Sequence, residues 1–132
     1  MIKKITLFLS IIFSLSAFAQ QQGCAKFKNG TFKVTDPASK KVCIITRDGN
    51  LQTEKMEESE DVYDFDLVWI DDCTYTVTPT PATAAKKKEV MKAGTMTVRI
   101  TKAKDSSYTQ RVTVATNPKF RRVDEVFLVE SK

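Results

Sequence analysis

The side chains that most often do chemistry are thinly spread in this chain of 132 residues, and one type is missing. There is no histidine, the commonest general base near neutral pH and the commonest protein metal ligand. Serine-histidine and cysteine-histidine catalysis are therefore excluded. No glycine-rich phosphate loop, no dinucleotide fingerprint and no C-x-x-C pair occurs, so nucleotide and zinc sites find no support. No catalytic residue, metal or cofactor is expected.

What remains is a set of acids, two basic clusters and three cysteines. Glu57, Glu58, Glu60 and Asp61, with Asp64, Asp66, Asp71 and Asp72 after them, could gather oxygens for calcium, but the glycine-punctuated spacing of an EF-hand loop is missing. Acids two apart in a strand, such as Asp64 and Asp66, share one wet face, which is a poor start for glycoside hydrolysis. Lys86, Lys87 and Lys88 form one basic cluster, and Lys119 with Arg121 and Arg122, around Phe120, form the other. These are the candidate contacts for a polyanion or an anionic lipid surface.

The cysteines are Cys24, Cys43 and Cys73, which allow one intramolecular bridge by three pairings. Cys43 sits within Val42-Cys43-Ile44-Ile45, a setting in which cysteine behaves as a small buried hydrophobe and not as an activated thiolate. Cys24 to Cys73 is the favoured bridge. Cysteine pairing suits an oxidising compartment, and the amino-terminal residues point the same way. Lys3-Lys4, an apolar stretch through Phe13 and Ala17-Phe18-Ala19 reproduce the basic, apolar and A-x-A regions of a secretory signal peptide. Residues 1–19 are read as that signal, and residues 20–132 as one β-rich domain that is periplasmic or secreted. The alternative localisation is a surface lipoprotein acylated on Cys24, after Gly23. Removing Lys3 and Lys4 lowers the formal charge from +5 to +3, which carries no strong instruction toward nucleic acid.

The elements that must position these residues are short strands ended by turn residues. The first runs from Cys24 to Lys28 and, after a bend or bulge at Gly30, continues from Thr31 to Thr35. Val42 to Arg47 and Leu51 to Met56 flank Asp48-Gly49-Asn50 as a hairpin. Val62 to Ile70 puts Tyr63, Phe65, Leu67 and Trp69 on one face, and Cys73 to Thr78 alternates Cys73, Tyr75 and Val77 with threonines, the period-2 pattern of half-buried strands. Ala82 to Lys92 is the one stretch with helical composition. Strands follow from Thr95 to Thr101, Tyr108 to Ala115 and Phe120 to Val129.

Sequential strands with short connections predict an all-β fold: an antiparallel up-and-down meander curling into a small barrel or half-barrel, with a β-sandwich as runner-up. Gly30 followed by Phe32 resembles the glycine-x-aromatic opening of lipocalin-like barrels.

Four stretches also carry a resemblance: Cys24-Ala25-Lys26-Phe27-Lys28-Asn29-Gly30-Thr31-Phe32; Ile45-Thr46-Arg47 with Gln52-Thr53-Glu54; Trp69-Ile70-Asp71-Asp72-Cys73-Thr74-Tyr75; and Met96-Thr97-Val98-Arg99-Ile100. Together they resemble a group of small exported proteins of Bacteroidota, several of which carry the label DNA topoisomerase IV. The resemblance implies a shared fold and the same Cys24 to Cys73 bridge, and it conveys no activity. Strand passage needs ATPase modules and a tyrosine platform spread over far more chain than this.

The expected function is non-enzymatic binding in the periplasm or at the cell surface, either of a small apolar ligand in a barrel mouth or of an envelope protein. Tyr63, Phe65, Trp69 and Tyr75 would line such a pocket or form an ordinary core. The alternatives are an envelope-associated protein that meets polyanions or lipid through its basic loops, and an enzyme of unrecognised type.

Overall fold

The computed structural model describes residues 23–88, 92 and 94–131. The stretch read as a signal peptide lies outside them. Eight antiparallel strands close into one barrel in chain order: β1 (Gly30–Thr35), β2 (Val42–Asp48), β3 (Leu51–Met56), β4 (Val62–Asp71), β5 (Thr74–Pro79), β6 (Met96–Ala103), β7 (Ser107–Val114) and β8 (Asn117–Glu130). A short helix, α1 (Pro81–Lys86), links β5 to β6. Closure through β1 and β8 removes the free edges that an open meander exposes, and it rules out the sandwich and the half-barrel.

Alternation builds the interior. Phe32 and Val34 on β1, Ile45 on β2, Phe65 and Leu67 on β4, Tyr75 and Val77 on β5, Val98 and Ile100 on β6, Tyr108 and Val112 on β7 and Val126 on β8 are all buried. Their neighbours along each strand face solvent, Thr, Lys, Arg and Asp among them, although Val68, Ile70, Val123, Phe127 and Val129 also lie exposed on the outer surface. The expected strands stand within a residue or two, β8 apart, which starts three residues early.

One expected element differs. Residues 24–28 are not strand: Ala25–Phe27 form a 3-10 turn that plugs one end of the barrel, with the Phe27 ring 4.8 Å from Tyr108 and 6.3 Å from Phe32. The alternation Cys24, Lys26, Lys28 imitates a strand, but the segment has no neighbouring strand to pair with, and its backbone is satisfied by local bonds such as Phe27 N–H to the Cys24 carbonyl and by Arg47 on the Phe27 carbonyl. Of the helix expected over Ala82–Lys92, Pro81–Lys86 forms α1 behind the Thr80 cap and Lys88 and Lys92 are also helical, while 89–91 lie outside the described residues.

Cys24 and Cys73 are bridged, tying the plug to the β4–β5 turn. The buried Cys24 is compatible with an oxidising, exported setting. The bridge also occupies the sulfur that acylation at Cys24 would need.

Closure depends on one glycine. Gly30 opens β1 with φ +133°, and a Cβ there would stand 2.7 Å from the Glu130 carbonyl oxygen on β8. The bend expected at this position is where β1 meets β8 with a bulge between Thr31 and Phe32.

Candidate functional site

The strands run alternately between a plugged floor and an open mouth. The floor holds the plug, the β2–β3 hairpin and the β4–β5 and β6–β7 turns. The mouth holds the β1–β2 loop, the β3–β4 loop, α1 and the β7–β8 turn.

Arg47, near the floor end of β2, is fully buried. Its Nε donates to Gln52 Oε1 (2.9 Å), Nη1 to the Phe27 carbonyl (3.1 Å), and Nη2 to the hydroxyls of Tyr75 and Tyr108 (2.6 Å each). Four of a guanidinium's five N–H groups are thus placed, and its plane lies over the rings of Phe32 and Tyr75, 4.6 and 4.7 Å from their centroids. Burial alone would pull this guanidinium toward neutrality, but Tyr75, Tyr108 and Glu54 more than offset that and hold its proton. The Tyr75 hydroxyl is pushed well above its ordinary range by the same burial.

Two chains of polar groups climb from Arg47 toward the mouth. One runs through Gln52, whose Nε2 donates to Glu54 Oε1 at 3.2 Å. The other runs through Tyr75, which donates to Gln110 Oε1 at 3.1 Å, and through Gln110 Nε2, 3.4 Å from Asp124 Oδ2. Asp124 is then closed off by Arg122, whose Nε donates to Oδ1 at 2.9 Å. Glu54 has no such cation among the described ion pairs.

Above the floor lies a cavity of about 340 Å³, lined by both carboxylates and Arg122, by Gln52 and Gln110, and by apolar walls that include Val34, Ile45, Val77, Val98 and Val112, with Met56, Met96 and Phe120 toward the mouth. That volume is at the lower end of the range for small-molecule sites. Cys43 also faces the cavity. Burial, reinforced by Glu54, pushes its thiol up to about 12, so it stays protonated and weakly nucleophilic at neutral pH. Glu54 is raised by burial as well, with Arg47 and Gln52 partly opposing the shift.

Of the four aromatics expected to line a pocket, Tyr75 does so. Phe65 is packed in the core, Tyr63 and Trp69 are only partly buried against it, and none of these three is among the cavity-lining residues. Trp69 stacks 4.6 Å from Tyr75, beneath the Lys28 ammonium.

The basic clusters are not one surface. Lys86 donates to the Val62 carbonyl and the Lys87 ammonium covers the Tyr63 ring, so both pack on β4, while Lys88 is exposed. Arg121 is paired across to Thr113 on the outer face of β8, whereas Arg122 turns into the cavity with Asp124. The acids of the β3–β4 region serve local ends. Asp64 accepts from Thr53 and Asp71 from the Cys73 N–H, and among the described residues no three of them gather as metal ligands.

Sequence reasoning missed Arg47, Gln52, Glu54, Gln110 and Asp124, because charged and amide residues in strands are expected to face water. The signal was present in the hairpin. A two-residue loop pairs Arg47 with Gln52 and Ile45 with Glu54, so an inward Ile45 forces Arg47, Gln52 and Glu54 inward too.

Searches of family models, curated proteins and solved structures return no match to this chain.

Proposed function

We propose that the barrel is an exported, non-enzymatic binding protein that takes a small ligand through its mouth into the cavity. The observation that carries this reading is the cavity itself. Apolar walls surround a few converging polar groups whose orientations are already fixed by hydrogen bonds to a rigid floor, and such a site can hold a ligand without first reorganising. Cys43, which also lines the cavity, is held protonated and so is a weak nucleophile at neutral pH.

The test is native mass spectrometry of the protein isolated from its own envelope and medium, beside a Met96→Trp variant that fills the cavity from the rim. A reproducible small-molecule adduct, lost in the variant while circular dichroism still reports the barrel, is expected. No adduct, or one that survives the tryptophan, would move the search from the cavity to the outer surface.

A further inference from the structure

The two polar chains rising from Arg47 differ at their ends. On the β7–β8 side the chain finishes in a carboxylate capped by a guanidinium: Gln110 and Arg122 place donors on both oxygens of Asp124. On the β3 side it finishes in Glu54, where Gln52 supplies one donor to Oε1 and no described hydrogen bond reaches Oε2. That carboxylate stands midway up the wall, between Gln52 toward the floor and Met56 toward the rim, and it lines the cavity.

An anionic ligand finds no comparable receptor at depth, because the deep cation, Arg47, has four of its N–H groups committed to the floor. The other arginine lining the cavity, Arg122, gives its Nε to Asp124 and is held as well by the charges of Asp36 and Glu54. From this asymmetry, we infer that the ligand is a small amphiphile with a cationic amine, whose ammonium takes at Glu54 the place that Arg122 takes at Asp124 and whose apolar body lies along the valine wall. This deepens the proposed binding function and rests on it.

Desolvation explains why such a ligand would be preferred. Burial raises the Glu54 carboxyl, and the charges of Arg47 and Arg122 with the Gln52 hydrogen bond oppose that only in part, so an ammonium brought beside it would favour the charged form further. An ammonium brought to hydrogen-bond distance in a site shielded from bulk water forms a charge-assisted bond, stronger than one between neutral groups. An alcohol of the same length would gain the apolar contacts and one hydrogen bond, without the opposite charge. A carboxylate would gain those contacts and meet Glu54 as a like charge.

The probes are octylammonium, octanoate and octanol, titrated calorimetrically into the full chain with its disulfide intact, at neutral pH and moderate salt. Octylammonium is expected to bind about tenfold or more tightly than octanol, a difference of about 1.4 kcal/mol, with octanoate weakest. Glu54→Gln, which keeps the shape of the side chain, should lower octylammonium to the level of octanol and leave octanol unchanged. Equal or tighter binding of octanol or octanoate, or an amine affinity untouched by Glu54→Gln, would overturn the amine assignment while leaving cavity binding standing. Failure of all three probes at millimolar concentration would overturn both. The ranking in the unsubstituted protein decides the matter even where the variant folds poorly.

Discussion

Replacing Arg47 with methionine separates two views of a charge buried under a barrel. Methionine keeps the unbranched apolar stem of arginine but stops about where Nε stands, so the cavity penalty is smaller than that of truncation to alanine. What is lost is the set of four hydrogen bonds to Gln52, the Phe27 carbonyl, Tyr75 and Tyr108. The two hydroxyls can turn and bond each other. The Phe27 carbonyl and Gln52 Oε1 have no other described partner, and orphaning a buried acceptor costs about 1–3 kcal/mol. Glu54 also loses the cation that lowers the cost of its charge. The expected loss is about 3–5 kcal/mol, the range seen when one member of a buried polar pair is removed, and a large part of the ~5–15 kcal/mol that holds a domain of this size together. Urea unfolding at neutral pH, followed through Trp69, the one tryptophan, measures it, since that ring stacks on Tyr75. Arg47→Lys should lose nearly as much, because one ammonium cannot reproduce a planar fork aimed at partners around its rim. A midpoint unchanged or raised in Arg47→Met, with the denaturant slope unaltered, would refute the reasoning and show that the desolvation of the guanidinium outweighs its bonds.

Three further outcomes follow from the geometry. Glu54→Gln should raise the unfolding midpoint at neutral pH, since a carboxyl whose folded pKa lies above its unfolded value of 4.5 loses stability as pH rises through the folded value; urea midpoints of the two proteins should converge as pH falls below 4.5, while the lowered Asp36 and Asp71 weaken both equally. Joint replacement of Cys24 and Cys73 by alanine opens a link between residues 49 apart, for which the chain-entropy treatment gives about 4 kcal/mol, and hydrogen exchange should show the plug and the β4–β5 turn loosened first; equal protection in both proteins would mean that packing of Phe27 alone holds the floor. Gly30→Ala should cost about 2 kcal/mol or more, measured by thermal melting, because the added Cβ meets the Glu130 backbone oxygen and the residue must keep a positive φ that alanine resists.

The parts of this fold that could be read from sequence are those where each inward residue is apolar and most outward ones are polar. β4 and β5 show this most plainly: Phe65, Leu67, Tyr75 and Val77 alternate with Asp66, Val68, Thr76 and Thr78, and period-2 burial follows directly. The Asp48-Gly49-Asn50 turn likewise fixed a hairpin, whose loop shrinks to Gly49 and Asn50 once Asp48 pairs with Leu51. The plug was misread because its three-residue turn owes its shape to a disulfide and to the ring of Tyr108, both far away along the chain. The site was illegible for a different reason. Its residues break the expected alternation on purpose of chemistry, with charge where hydrophobes belong, and only the inherited register of β2 and β3 says that they point inward.

The floor and the cavity are one electrostatic object. A buried guanidinium requires acceptors, so Gln52 turns its carbonyl oxygen toward Arg47, and Tyr75, accepting from Arg47, must donate its own proton onward to Gln110. Each glutamine then has only its amino end left for the wall above, and that end meets a carboxylate, Glu54 or Asp124. Reversing Gln52 would set its N–H against the guanidinium and its carbonyl against Glu54, and reversing Gln110 would set its N–H against the Tyr75 proton and its carbonyl against Asp124, repulsive contacts in place of attractive ones. The charge of Arg47 therefore reaches the cavity without lining it. It fixes the direction of two hydrogen-bond chains, and those chains present acceptors to the cavity. A barrel of the same shape with an apolar floor would leave both glutamines free to turn, and its cavity would lose the directional preference for a donor that Arg47 imposes.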